Sequence, residues 1–179
     1  MEKWKLISSK YIHKAPWATL RKDTVELPSG LIKEDYYVLE YPDWVNVVAL
    51  TQKGEFIMIR QYRHGAQEIM LELPAGVIDP GETPKEAVAR ELLEETGYSA
   101  GSLEPLCQLY PNPASSGNIS HSFLAKDCFK TSIQSLDSTE DIEVELFSKQ
   151  EILELIARNK IPQALHVGPL FYAFKTLEG

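Results

Sequence analysis

One segment constrains this chain more than any other. Between Gly76 and Tyr98 the sequence writes out both ends of a helix. Thr83 suits the N-cap, Pro84 suits the first helical position, and Glu86 completes a Thr-x-x-Glu capping box. Gly97 supplies the C-terminal stop, so the spacing predicts a helix over 84–96. At about 100° per residue, Glu91 and Glu95 fall about 40° apart, with Glu94 about 60° to the other side of Glu91. Three carboxylates therefore share one face. Like charges at i,i+4 cost roughly 0.2–0.5 kcal/mol per pair, and they stand at the unfavourable end of the helix dipole. A cation compensates for both costs. Arg90 is one candidate, and a divalent metal, Mg²⁺ or Mn²⁺, is the other. A solvated helix face is the plain alternative.

Charge distribution sharpens this. The 179 residues carry 26 acids and 18 bases, net −8. Residues 76–98 alone hold −4 and residues 137–154 hold −6, leaving the rest slightly basic. The balance disfavours nucleic acid, which needs a basic footprint. Two cysteines, Cys107 and Cys128, are too few for a disulfide framework. No run has signal-peptide or membrane-spanning character, so a cytoplasmic setting without membrane attachment is expected.

Around the helix the chain reads as an α+β protein. Strands are expected at 4–9, 18–27, 31–41, 45–50, 55–61, 69–73, 103–110, 119–125 and 142–147. A second capping box, Ser148-x-x-Glu151, opens a helix through about Arg158. Gly168-Pro169 starts or kinks a last helix to Leu177. Residues 1–42 form a small antiparallel sheet that needs a packing partner, either the main domain over 43–179 or a second subunit. His121, within a strand, reads as a hydrogen-bonded histidine, and His64 sits in a turn near Arg63.

The spacing Gly76, Glu82, Arg90-Glu91-Leu92-Leu93-Glu94-Glu95-Thr96-Gly97 resembles the Nudix box at every fixed position; Tyr98 stands where that family usually has an aliphatic residue. Gln61-Tyr62-Arg63, Leu71-Glu72-Leu73-Pro74-Ala75-Gly76, the proline loop ending at Pro113 and Glu140-Asp141-Ile142 resemble the ADP-ribose pyrophosphatase branch. The resemblance implies an α/β/α sandwich with a mixed central sheet, plus the small N-terminal antiparallel sheet. It also implies metal-dependent hydrolysis of a nucleoside diphosphate linked to X, with ADP-ribose giving AMP and ribose 5-phosphate. On this resemblance Glu91, Glu94, Glu95, the Ala75 carbonyl and Glu82 are metal-site residues for Mg²⁺ or Mn²⁺. Arg90 holds the glutamates. Glu140 is the candidate base, with Asp141 and Glu143 as alternatives. Arg63, Arg60, Tyr62, Trp44 and Pro113 are substrate-binding candidates. The branch commonly swaps its N-terminal sheet across a homodimer. Asn118 stands where many ADP-ribose enzymes carry an acid, so GDP-mannose or another NDP-sugar is an alternative substrate. A noncatalytic nucleotide-binding domain is the alternative of another class.

Overall fold

The computed structural model describes residues 1–178, which divide into two compact units, 1–42 with 110–119 and 43–109 with the residues from 120 onward. The first unit is a three-stranded antiparallel sheet in the order β1 (Lys5–His13), β2 (Thr19–Glu26), β3 (Ile32–Glu40). The β2–β3 turn closes through Gly30 N–H donating to the Leu27 carbonyl at 2.9 Å, with Gly30 at φ 82°. Asp23 is buried on the middle strand and accepts from Ser9 Oγ at 2.6 Å and from Arg21 Nε at 3.1 Å, so the buried charge is paired. The 110–119 segment joins this sheet at its β3 edge. Leu39 N–H donates to the Ser115 carbonyl at 2.7 Å, and Tyr36 Oη donates to the Ala114 carbonyl at 2.6 Å.

The second unit is built on a mixed sheet. Its strands are β4 (Trp44–Thr51), β5 (Phe56–Arg63), β6 (Glu68–Glu72), β7 (Ala75–Val77), β8 (Tyr98–Ser99), β9 (Ser102–Leu109), β10 (Ser120–Lys130) and β11 (Ile142–Phe147). Its helices are α1 (Pro84–Thr96), α2 (Lys149–Ala157) and α3 (Ala164–Glu178). The main path runs β11-β5-β4-β10-β8, with β6 on β5, β7 on β4 and β9 on β10. β4 and β10 pair in parallel, Trp44 opposite Ser120 through Ala49 opposite Ala125.

Period-two alternation along β4 divides the core in two. Val45, Val47 and Ala49 join Ile57, Phe123 and Ala125 against Ala87, Val88 and Leu92 of α1. Val48 joins Phe56, Met58, Leu71 and Leu73 against Ile152 of α2 and Leu170, Ala173 and Phe174 of α3. Helices therefore cover both faces, as the α/β/α expectation requires.

Both capping boxes form. Thr83 Oγ1 accepts from Glu86 N–H and the Glu86 carboxylate accepts from Thr83 N–H; Ser148 and Glu151 repeat the pattern. α1 stops at Gly97, φ 70°, as expected. Two short strands, β7 and β8, were not legible because three and two residues carry no period. The last helix starts at Ala164, so of the two readings of Gly168-Pro169 the helix start is not the one realised: Pro169 lies inside the helix. A proline removes the N–H that would bond the carbonyl four residues back, here Leu165. That carbonyl instead accepts from Asn46 Nδ2 at 3.1 Å, so the helix passes through the proline without a lost bond at that position. No helix among the described residues is long and apolar enough to cross a membrane.

Candidate active site

The α1 carboxylates are organised by Arg90. Its Nε and Nη2 donate to the two oxygens of Glu82 at 2.9 and 3.0 Å. Nη1 donates to Glu91 at 2.8 Å and to Glu94 at 3.1 Å, and Nη2 also reaches the Val77 carbonyl at 3.1 Å. Such a surround of carboxylates pushes the guanidinium pKa further up, led by the Glu82 hydrogen bonds. Glu82 in turn accepts from Asp79 N–H at 3.2 Å, closing the turn before the helix. Arg90, expected to hold the glutamates, thus donates to Glu82, Glu91 and Glu94. Glu82 is engaged with Arg90 through both oxygens.

Glu95 differs from its neighbours. It is buried, and its carboxylate accepts from Ala75 N–H at 2.9 Å. Burial raises its pKa to about 9, despite that hydrogen bond, and Glu91 and Glu140 push in the same direction. Glu91 is raised too, again by burial first, with Glu94 and Glu140 adding to it. Glu140 therefore stands in the electrostatic neighbourhood of both. It is exposed, and its carboxylate accepts from Asp137 N–H at 2.9 Å, an arrangement that folds the 137–140 turn back on itself.

Gly76 explains the close approach of loop and helix. A Cβ at this position would lie 2.0 Å from Glu91 Oε1, so only glycine lets the Glu91 carboxylate sit against β7. Among the described residues no three acidic, histidine or cysteine side chains already enclose a metal site, and Glu91 and Glu94 are both hydrogen-bonded to Arg90. The donor chemistry nevertheless suits a hard divalent cation: several carboxylates converge and the buried Glu95 has no cationic hydrogen-bond partner of its own.

A cavity of about 600 Å³ adjoins this cluster. Trp44, Asn46, Arg63, Ala75, Gly76 and His166 are among its walls. Ala75 and Gly76 belong to both the cavity and the carboxylate cluster. Arg63 is held by Glu72, a carboxylate with no exposure at all. Nε donates to both Glu72 oxygens at 3.1 Å, and Nη2 donates to one of them at 2.6 Å. Gln61 reaches the same carboxylate at 3.3 Å, which puts Gln61 and Arg63 on one face as period two implies.

Of the expected substrate-binding residues, Trp44 and Arg63 are brought to the cavity. Arg60 is not: it forms an ion pair with Glu145 across β5 and β11. Tyr62 is exposed and has an edge contact with His64, which does line the cavity. Pro113 lies in the other compact unit, on an exposed turn. His121 is hydrogen-bonded, as expected, between Gln108 at 3.1 Å and Asp43 at 3.3 Å. Sequence reasoning missed Asn46, Glu72 and His166. Glu72 had a readable sign, an acid inside the apolar run Leu71-Glu72-Leu73. His166 and Asn46 had none, since each matters through a partner about 90 to 120 residues away.

Residues 40–166 match the NUDIX domain, and residues 4–39 match the nucleoside diphosphate sugar hydrolase N-terminal domain. The ADP-ribose pyrophosphatase of Bacillus subtilis (strain 168) is 32% identical over 161 residues, 89% of this chain and 86% of that protein. The methanol dehydrogenase activator of Bacillus methanolicus is 31% identical over 158 residues, 88% and 85% of the two chains. A crystal structure of an ADP compounds hydrolase superposes with a TM-score of 0.89 at 25% identity, covering 100% of this chain and 96% of the other. The chain belongs to the Nudix family, as a pyrophosphohydrolase that carries the N-terminal domain of the nucleoside diphosphate sugar hydrolases.

Proposed function

We propose that the protein hydrolyses ADP-ribose to AMP and ribose 5-phosphate. The observation that carries this reading is the shared edge at Ala75–Gly76, where a cavity with an arginine on its wall meets a cluster of glutamates. A diphosphate lying along that edge has Arg63 on one side and the carboxylate cluster on the other. Two anions cannot meet without a cation between them. Glu91 and Glu95, with Glu94 and the Ala75 carbonyl, would hold Mg²⁺ or Mn²⁺ there. Such a cation offsets phosphate charge and makes water a better nucleophile at neutral pH. Arg90 keeps Glu91 and Glu94 in place, and Glu82 orients Arg90.

Glu140 takes the proton of the attacking water. The water oxygen bonds to phosphorus, the bond to the bridging oxygen breaks, and the two monophosphates leave. Trp44 supplies a flat wall against the neutral part of the substrate. The relatives named as ADP-ribose pyrophosphatases support the choice of ADP-ribose.

The protein acts as a homodimer in this reading. All nine residues of β1 are exposed, Leu6, Ile7, Tyr11 and Ile12 among them. A three-stranded sheet with such a strand is marginal by itself, and a second copy is the partner that covers it. A monomer by light scattering at micromolar concentration would count against the dimer.

A substrate panel in Mg²⁺ tests the activity, with ADP-ribose, GDP-mannose, UDP-glucose, dinucleoside polyphosphates and 8-oxo-dGTP. ADP-ribose should lead in kcat/KM. Preference for GDP-mannose would replace the substrate, and binding without turnover would make the domain a nucleotide sensor.

A further inference from the structure

Arg63 is engaged side-on. Glu72 takes its Nε and Nη2 edge, while Nη1 has no protein acceptor among the described residues and the side chain stands on the cavity wall. Glu72 is in turn backed by α3. The ring of His166, itself buried, accepts the Leu73 N–H on Nδ1 at 3.1 Å. An accepting Nδ1 places the ring proton of neutral histidine on Nε2, and Nε2 lies 3.6 Å from Glu72 Oε2. The protonated ring nitrogen is therefore the one nearer the carboxylate. Pro162, Gln163 and Leu165, at the start of α3, are cavity walls as well. One helix end thus both lines the cavity and backs the residue that grips its arginine.

We propose that Glu72 and His166 are positioning residues that make Arg63 an oriented phosphate donor instead of a bare positive charge. The Glu72 charge offsets that of Arg63, so what Arg63 offers a phosphate is the direction of its free N–H groups. The inference rests on the functional reading only in taking this cavity as the diphosphate site. Two effects compete when Glu72 loses its charge. Arg63 gains net positive charge, which attracts anions, but it is partly exposed and solvent screens that gain. It also loses a two-edged partner, because the amide NH₂ of glutamine faces donors with a donor. The loss of orientation wins.

A double-mutant cycle tests this, read as the Kd of ADP in Mg²⁺ and as KM and kcat for ADP-ribose. R63A should weaken ADP about 10-fold or more, and E72Q about 5-fold, while E72Q added to R63A should change Kd less than about 2-fold. The losses should fall on KM, with kcat within about 3-fold of wild type. R63K should resemble R63A, because an ammonium cannot use both edges. Losses that add in the double variant, or an R63K close to wild type, overturn the proposal. If E72Q does not fold, H166A takes its place in the same cycle, with the same non-additivity expected. Wild-type protein that neither binds ADP nor hydrolyses any member of the panel overturns the functional reading and this proposal together. Wild-type protein that binds ADP while the variant losses add overturns this proposal alone.

Discussion

The side-chain amide of Asn46 fills the hydrogen-bonding place that Pro169 leaves vacant. Pro169 has no N–H for the Leu165 carbonyl, and Asn46 Nδ2 donates to it at 3.1 Å from the neighbouring strand. The other Nδ2 hydrogen goes to Ser120 Oγ at 3.1 Å, so the amide orientation is fixed by two acceptors. Asn46→Ala strands a carbonyl in the cavity wall and should cost about 1–3 kcal/mol in urea unfolding. Pro169→Ala restores the helical donor and should shrink that cost by at least about half. Equal costs in both backgrounds would mean that the amide stabilises something other than this carbonyl.

His166 gives the fold a pH dependence with a defined sign. Burial lowers its folded pKa to about 3, against 6.5 for the free side chain, and the positive charge of Arg63 acts in the same direction. The nearby Glu72 carboxylate would favour a charged ring, but it is already engaged by Arg63. Above pH 6.5 the ring is neutral folded or unfolded, and its full contribution to stability is present. As pH falls from 6.5 towards 3, the unfolded chain binds a proton that the folded chain refuses, and stability drops. Between pH 7 and pH 5 the wild type should lose about 2 kcal/mol more than His166→Asn in urea unfolding. Parallel curves for the two proteins would place the proton elsewhere.

Two glycines should fail in different ways. Gly76→Ala drives a methyl into Glu91, so kcat should fall at least about 10-fold as the carboxylate is displaced. Gly97 holds φ 70°, and a Cβ there would meet the Ser132 carbonyl at 2.3 Å. Gly97→Ala should therefore cost about 1–3 kcal/mol of stability. Its specific activity per folded molecule should stay near wild type. Circular dichroism melts alongside steady-state kinetics separate the two outcomes.

The carboxylates divide by role, and kinetics can tell them apart. Glu95→Gln removes a proposed cation ligand and should lower turnover at least about 100-fold, with a raised Mg²⁺ requirement. Glu140→Gln removes the proposed base and should lower kcat with little change in KM. If Glu140→Gln leaves kcat unchanged, Asp141 and Glu143 become the residues to test.

What the sequence makes legible is local. The Thr83–Gly97 helix can be read to the residue because its caps are chemical and lie within one turn of the ends. The acids on its face follow from helix geometry alone. The strands of the main sheet are visible as short apolar, β-branched runs, as in Val45–Leu50. What stays hidden depends on distance in the chain. Arg60 and Arg63 look alike in sequence. One meets Glu145 across the sheet, and the other meets Glu72 at the cavity. Period two puts them on opposite faces of β5, but only the register of β5 with β6 and β11 gives each its partner. Gly168-Pro169 reads in sequence as either a helix start or a kink within one, because a helix tolerates proline best at its first turn. The group that takes the orphaned Leu165 carbonyl, Asn46, lies more than a hundred residues earlier.

The parallel pairing of β4 with β10 also orders events in time. β4 carries Val45, Val47 and Val48, the buried centre of both faces, yet its parallel neighbour begins only at Ser120. A nascent chain emerging from the ribosome therefore presents this apolar strand well before its parallel neighbour exists. Pairings of such long range close slowly and leave edges open meanwhile. During that interval the chain is at its most vulnerable to aggregation, and a chaperone would find its target in the segment around Val45–Leu50.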